Sequence, residues 1–423
     1  MTDSPLAFDP SCMDDYDPHS LTVDQAWERI RQAIAPVAGA ELLGIADALG
    51  RVVSDDVPSP IAVPPTDNSA MDGYALRYAD LPAEGTAKLR VVGESFAGRP
   101  YAGAAVEAGE TVRIMTGAVI PAGCDTVLMQ ERVERDGDSL RVSGGYRLGE
   151  NVRSAGDDIR PGQNVLLAGT RLTPAALGVL ASLGIAEVKV RRRPRVAFFS
   201  TGDELCPVGQ IPGPGDIYDS NRYTLNAMIR RLGADPLDLG VVRDRRQDVR
   251  DAFEQAAALG DMVITSGGVS VGEADFVKET LEEMGQVGFW KIAMKPGRPL
   301  AFGSLGRAFF FGLPGNPVSV MATFYQFVQP ALRLMMGEPE PTPVLVPVRC
   351  TSRLKKSAGR MELQRGVLAY DENGRITVST TGLQGSHVLT SMARANCFIV
   401  LPLENAGVEP GDTVLIQPFE GLI

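Results

Sequence analysis

Arg195-Val196-Ala197-Phe198-Phe199-Ser200 opens a stretch that decides the fold, because strand-like and helix-like runs alternate from there to Met336. RVAFFS (195–200), DLGVV (238–242) and DMVITSG (261–267) are short apolar runs rich in β-branched and aromatic residues. Helical spacing falls between and after them, near Asn221 to Leu232, Arg246 to Leu259 and Asp275 to Met284. Alternation of this kind predicts a parallel sheet covered by helices on both faces. FWKIAM (289–294) and RAFFFGL (307–313) supply further strands before a helix that starts after Asn316.

Outward from this unit the pattern changes. Thr22 with Gln25 forms a capping-box signature, and Val23, Ala26, Trp27, Ile30, Ala33 and Ile34 recur at helical spacing until Pro36. A short helix is expected at Ala46 to Leu49, after which VPSPIAVPP (57–65) cannot be helical and reads as a crossing between domains. LRVVG (89–93), TVRIMTG (111–117), TVLMQERV (126–133) and SLRVS (139–143) describe a small β domain, with a hairpin at Asp136-Gly137-Asp138. NVLLAG (164–169), a helix opening near Pro174 and AEVKV (186–190) lead to the boundary stretch RRRPR (191–195). Beyond Pro343 short strands return, including a hairpin at Asn373-Gly374 between GVLAY and ITVST.

Composition narrows the function. A chain of 423 residues is long enough for about three domains at roughly 150 residues each. Its net charge of -11 argues against a nucleic-acid surface, which needs Lys and Arg spread over a face. Cys12, Cys124, Cys206, Cys350 and Cys397 are scattered without a C-x-x-C, as suits reduced thiols in a cytosol. With His19 and His387 the only histidines, neither a histidine-based metal site nor a Ser-His-Asp triad is expected. The first 20 residues are acidic and proline-containing, unlike a signal peptide, and read as a disordered tail. Gly312, Pro314, Gly315, Asn316 and Pro317 interrupt the most apolar stretch, so no membrane span is expected and a soluble, cytoplasmic protein is the reading.

Ligands of an open parallel sheet bind beyond the carboxyl ends of its strands, and four such segments are unusual. Ser200-Thr201-Gly202-Asp203-Glu204 pairs a small-residue turn with two acids. Gly267-Gly268-Val269-Ser270-Val271-Gly272 can close backbone N–H groups around an anion at a helix start. Lys291, Lys295 and Arg298 place three cations in eight residues, and an extended segment would set the lysines on one face about 13 Å apart. Pro314-Gly315-Asn316-Pro317 is a rigid turn opening the last helix. Each has an ordinary structural alternative: a plain turn, a generic glycine loop, a solvated lysine row, a tight turn. Asp244 adds another strand-end carboxylate to Glu204 and Asp275, and oxygen-only ligands beside anion-cradling loops favour Mg²⁺ over zinc.

Taken in order, DNSAMDGYA (67–75), RIMTGA (113–118), GDDI (156–159), STGDEL (200–205), IYDSN (217–221), SGGVSVGEAD (266–275), WKIAMKPGRP (290–299), GLPGNPVS (312–319), LQRG (363–366) and TGLQGSH (381–387) resemble the molybdopterin molybdenumtransferase (MoeA) family, which includes the carboxyl-terminal part of gephyrin. The likeness spans roughly residues 21 to 423. It implies a multidomain α/β and β protein: a linking and dimerisation α+β domain (21–61 plus 158–192), a small β-rich domain (62–157), a central three-layer α/β domain with a mostly parallel sheet (193–337) and a C-terminal β-barrel-like domain (338–423). It also implies a homodimer that takes adenylylated molybdopterin and molybdate, usually with Mg²⁺, and yields molybdenum cofactor and AMP. Expected partners are molybdopterin adenylyltransferase and apo-molybdoenzymes.

By matching motifs, the resemblance makes Asp72, Thr116 and Asp158 partner-side contributors. Glu204, Asp244, Asp275, Lys291 and Lys295 would line the pocket from the α/β domain, with Arg365 and Ser386 from the terminal domain. Lys291, Lys295, Arg365 and Ser386 suit molybdate and phosphate oxygens through charge-assisted bonds, and Asp244 and Asp275 suit Mg²⁺. Ser200 to Asp203, Gly267, Gly268, Ser270, Gly272, Arg298 and Pro314 to Pro317 would hold the substrate. Arg298 departs from the KPGKP pattern, keeping the charge but changing donor geometry. The rivals are the adenylyltransferase of the preceding step, which resembles only the α/β domain, and a non-enzymatic peptide-binding scaffold.

Overall fold

The computed structural model describes residues 20–268, 276–340 and 342–419. The expected acidic tail therefore lies outside the described residues, as do Ser270, Gly272 and Asp275.

Helix α1 (Val23–Ala33) begins with both halves of the expected capping box, and it buries Ala26 and Ile30. Its apolar face packs into the core of the α/β unit, among Val196, Phe198 and Met228. The Leu21 N–H donates to the Lys291 carbonyl (2.9 Å) and the Ala293 N–H to the Leu21 carbonyl (2.7 Å), pinning the entry to the helix. The following strand, Ala40–Gly44, pairs antiparallel with Glu187–Arg191, and Val57–Pro58 pairs with Asn164–Leu166. Together with α2 (Pro174–Ser182) these segments share a small core around Val53, Leu172, Leu180 and Val190. Between strands Ala40–Gly44 and Val57–Pro58, the helical turn is a 3-10 turn at Ile45–Asp47, slightly ahead of the expected position.

Residues 73–143 form a six-stranded sheet in the spatial order Thr126–Met129, Gly73–Leu76, Glu110–Ile114, Thr86–Ser95, Ser139–Ser143, Glu134–Asp136. The expected hairpin is present, with Asp136 opposite Ser139 and Gly137 at φ 60°. Gly73 is required by close approach: a Cβ there would lie 1.8 Å from the Leu128 carbonyl oxygen.

The α/β unit contains β1 (Arg195–Thr201), β2 (Asp235–Val242), β3 (Met262–Ser266), β4 (Gln286–Lys291), β5 (Pro299–Leu305) and β6 (Ala308–Leu313), in the spatial order β2-β1-β3-β6-β5-β4. All run in one direction except β5, which is antiparallel to both of its neighbours, β6 and β4. Helices α3 (Ser220–Leu232) and α6 (Pro317–Thr323) cover one face, and α4 (Arg246–Leu259) and α5 (Phe276–Met284) the other, giving two separate apolar layers. After α6 the chain makes a π-helical turn at Phe324–Val328 and continues as α7 (Gln329–Met335). Pro330 at the start of α7 lacks the N–H that a regular helix would use, which accounts for a widened turn there.

The run WKIAMK differs from the expected continuous strand. It is extended to Lys291, but Ile292 donates to the Arg298 carbonyl (2.7 Å) and Ala293 to Leu21, so the chain leaves the sheet. Met294–Lys295 then pairs with Met361–Glu362 of the last domain. The two lysines thus stand on different sheets, not on one face.

The C-terminal domain is a closed five-stranded barrel of Val346–Cys350, Met361–Tyr370, Ile376–Thr380, Cys397–Leu401 and Thr413–Pro418. Met361–Tyr370 pairs with both Ile376–Thr380 and Cys397–Leu401, which closes the ring and removes free sheet edges. The Asn373-Gly374 hairpin sits between Tyr370 and Ile376 with Gly374 at φ 73°. Among the described residues no helix is long and apolar enough to cross a membrane.

Candidate functional site

Strand β1 has its two parallel neighbours on opposite sides, with the chain passing first to β2 and then back across to β3. That reversal opens a crevice at the carboxyl ends of β1 and β3. A cleft of about 420 Å³ occupies it. Thr201, Gly202 and Glu204 line it after β1, Asp244 after β2, Ser266, Gly267 and Gly268 after β3, and Gly315, Asn316 and Pro317 after β6. Three of the four unusual segments, together with Asp244, therefore converge on one space, while the Lys291 to Arg298 segment does not line it. Gly267 makes this possible, being at φ +94° with the Thr201 carbonyl 2.8 Å from where a Cβ would stand.

The cleft is acidic at one rim. Burial, then the charges of Asp203 and Glu204, push the Asp244 carboxyl above its ordinary range. Asp203 reaches the same turn, its Oδ1 accepting from the Asp244 N–H at 3.4 Å. Among the described residues no three acids, histidines or cysteines form a metal cluster. A Mg²⁺ held by one or two carboxylates and completed by phosphate oxygens fits this donor set, because that ion retains water and substrate ligands.

Sequence reasoning missed the cleft's floor. Asp219 is 2% exposed, and its Oδ1 caps α3 by accepting from the Arg222 N–H (3.1 Å). Asn221 Nδ2 donates to Ser266 Oγ and to the Gly315 carbonyl, both at 2.7 Å, tying α3 to the ends of β3 and β6. Ser200 Oγ, Thr201 Oγ1, Asp219 Oδ2 and Asn221 Oδ1 are buried without a hydrogen-bond partner. Each such atom costs about 1–3 kcal/mol, which a ligand or water could recover. The IYDSN motif was the available signal, but it also reads as an ordinary helix start.

A second pocket of about 310 Å³ lies between the loop at Lys295-Pro296 and the barrel. Lys295, Arg353, Lys355 and Arg365 make it basic, while Glu362 and Gln384 also line it. Lys295 Nζ is 3.8 Å from Glu362. Arg365 is 1% exposed, and burial draws its pKa down to about 10, partly opposed by Glu362. Its Nε donates to Ser391 Oγ (3.0 Å) and its Nη2 to the Gly385 carbonyl (3.1 Å). The Ser386 carbonyl accepts from the Val318 N–H (3.1 Å) in the first turn of α6. One loop, 384–386, therefore connects the basic pocket to the acidic cleft.

The other expected residues are distributed elsewhere. Lys291 ends β4 on an exposed position and lines neither pocket, and Arg298 and Pro314 flank the two sites without lining them. In the small β domain Asp72 Oδ1 accepts from both the N–H and the Oγ1 of Thr116, each at 2.8 Å. The Thr116 backbone bond, then its hydroxyl, holds the Asp72 carboxyl below its ordinary range. Asp158 is exposed, its N–H donating to the Val63 carbonyl (3.0 Å). None of these three lines either pocket of its own chain. Cys124 and Cys397 are pushed up to about 12 by burial, which makes them inert thiols.

Comparison with known proteins accounts for nearly the whole chain. The MoeA N-terminal region (domain I and II) matches residues 21–184, a probable molybdopterin binding domain matches 197–334, and the MoeA C-terminal region (domain IV) matches 347–419. A molybdopterin molybdenumtransferase of Haemophilus influenzae is 46% identical, over 95% of this chain and 100% of that protein. One from Nostoc sp. is 37% identical over 89% of this chain and 88% of its own length. The crystal structure of a molybdopterin biosynthesis moeA protein from Pyrococcus horikoshii OT3 superposes with a TM-score of 0.83 at 29% identity, covering 95% of this chain and 100% of that one. Three family regions in order, with one 46%-identical relative matched over its full length, show that this chain belongs to the molybdopterin molybdenumtransferase (MoeA) family.

Proposed function

We propose that this chain inserts molybdenum, taken from molybdate, into molybdopterin that arrives adenylylated, and that AMP leaves in the same reaction with Mg²⁺ required. The observation that supports this most is the coupling of an acidic switch-point cleft to a basic pocket through the single loop 384–386. Two sites of opposite charge suit a substrate with a metal-bridged phosphate group at one end and a bare oxyanion as the second reactant.

In this reading the glycine loop at Gly267-Gly268 and the turn from Pro314 to Pro317 enclose the pterin phosphate and shape the cleft. Lys295 and Arg365 attract the oxygens of molybdate, with Lys291, Arg298 and the Ser386 hydroxyl added when the loops close on substrate. Asp244, together with Asp275, would hold Mg²⁺. When bound, the ion offsets charge on the departing AMP. Glu204 and Asp203 keep that rim acidic.

The protein acts as a homodimer in the cytoplasm. Asp72, Thr116 and Asp158 serve the partner's site, which is consistent with their distance in sequence and fold from the pockets of their own chain. Molybdopterin adenylyltransferase would supply the substrate and apo-molybdoenzymes would receive the product. In a reconstitution with adenylylated molybdopterin, molybdate and Mg²⁺, the purified protein is expected to activate an apo-molybdoenzyme. Failure to activate it, with binding of a peptide partner instead, would support the scaffold reading.

A further inference from the structure

Two acceptor oxygens at the cleft floor have no donor. Asp219 is 2% exposed, lines the cleft and satisfies only Oδ1, through the Arg222 N–H that caps α3. Its Oδ2 is buried and unpartnered. Asn221, two residues on, spends both Nδ2 hydrogens on Ser266 Oγ and the Gly315 carbonyl, which fixes the amide orientation and leaves Oδ1 buried and unpartnered in the same cleft. Beside them the Thr201 hydroxyl, on a residue 6% exposed, is also without a partner.

This set has a definite chemical preference. A carboxylate can only accept, and the fixed Asn221 oxygen can only accept, so the two ask for N–H donors. A hydroxyl can donate to a carbonyl. We propose that Asp219 and Asn221 recognise the amino-pyrimidinone edge of the pterin, with Asp219 Oδ2 and Asn221 Oδ1 accepting from its ring N–H and exocyclic amino group and Thr201 Oγ1 donating to its ring carbonyl. The inference rests on the reading that the cleft takes molybdopterin, and it adds which edge is read and by which residues.

An adenine ring offers a donor beside an acceptor on its pairing edge and would leave one floor oxygen unpaired. Rejection follows from the cost of that unpaired buried acceptor, as in other sites built around specific hydrogen bonds. The adenylyl half of the substrate is thereby directed away from the floor and toward the acidic rim.

The test compares pterin with lumazine, in which a second carbonyl replaces the amino group, by titrating the intact protein and following ring fluorescence. Wild-type protein is expected to bind pterin about tenfold or more tightly than lumazine, the range of a hydrogen bond to a charged group. Asp219→Asn keeps the helix cap, since Asn caps as well as Asp, but offers an amide in place of the second oxygen, and it should abolish the preference. Asp219→Ser keeps a capping oxygen with no second acceptor and should do the same. Equal binding of the two rings by wild-type protein, no binding of either, or a preference that survives both substitutions overturns the proposal. Molybdate insertion measured on the same preparations separates the two claims. Insertion with an unchanged ring preference in the variants sinks the recognition of the edge alone. A preference that wild-type protein shows and both variants lose, in a wild-type protein that never inserts molybdenum, leaves the ring recognition standing and sinks the reaction.

Discussion

Asp244 is disfavoured as a charged group by burial and by Asp203 and Glu204 beside it. A carboxyl whose folded pKa is raised costs nothing at low pH, where it is protonated folded and unfolded, and it destabilises as pH rises past its unfolded value. Asp244→Asn in the ligand-free protein should therefore melt higher than wild type at neutral pH, and the difference should vanish below about pH 4. Melting curves across that range check it, and an unchanged or lower melting point at neutral pH would contradict the acidic-rim description. If Asp244 holds Mg²⁺ as proposed, adding the ion should raise the melting point of wild-type protein and leave that of Asp244→Asn unchanged. At Arg365 the geometry demands a planar fork, because Nε and Nη2 reach Ser391 and Gly385 in different directions. Arg365→Lys should raise KM for molybdate about tenfold or more while the protein still folds, since an ammonium cannot make both bonds and still face the pocket. Steady-state kinetics with molybdate varied would show this. At this scale the sequence was legible where a residue follows a strand directly, as for Thr201, Glu204, Asp244 and Gly267. It was not legible at Asp219 and Asn221, whose importance comes from what the fold leaves unpaired around them.

Helix α4 is locked to the sheet by Phe253, whose ring meets Phe199 of β1 at 5.2 Å and Phe310 of β6 at 5.7 Å between centroids, both edge to face. Phe253→Ala removes a fully buried aromatic group and should destabilise the α/β unit by about 3–5 kcal/mol in denaturant titration. A loss much below that would mean the helix is held chiefly by other contacts. The alternating β and α pattern from Arg195 onward, both hairpins and the start of α1 were readable because each depends on local chemistry: apolar spacing, a glycine at positive φ, a capping oxygen. Strand β5 was not, because the Lys291 to Pro299 segment reads as a single lysine-bearing edge strand or clamp, whereas Pro299 opens a new strand at its first position, where no ladder bond is lost. The break at Ile292 was equally hidden. It is imposed by Leu21, some 270 residues earlier, and by the Arg298 carbonyl. Long-range pairings of this kind leave no periodic mark on either segment.

Across the whole molecule, the Asp72–Thr116 pair of the small β domain and Asp158 of the linking domain line neither pocket of their own chain, whereas the α/β and barrel domains share the loop 384–386. If the partner supplies the first set, two inactive variants should complement. Mixing Asp72→Ala with Lys295→Ala under conditions that exchange subunits should restore about a quarter of wild-type turnover in a randomly reassorted two-fold dimer. No recovery, with mixed dimers demonstrated, would place the small domain outside the reaction. The closed barrel and the switch-point cleft could be expected from resemblance and from general rules of sheet topology, but the division into an acidic and a basic pocket emerged only when Met294–Lys295 was found paired to the barrel. The central claim is that one chain couples loss of the adenylyl group to capture of molybdenum. It is tested most directly by a single-turnover experiment with adenylylated molybdopterin and Mg²⁺, in which AMP and pterin-bound molybdenum are quantified with and without molybdate. AMP and pterin-bound molybdenum should appear together, in equal amounts, and only when molybdate is present. AMP release that is indifferent to molybdate, or that leaves no molybdenum on the pterin, would contradict it.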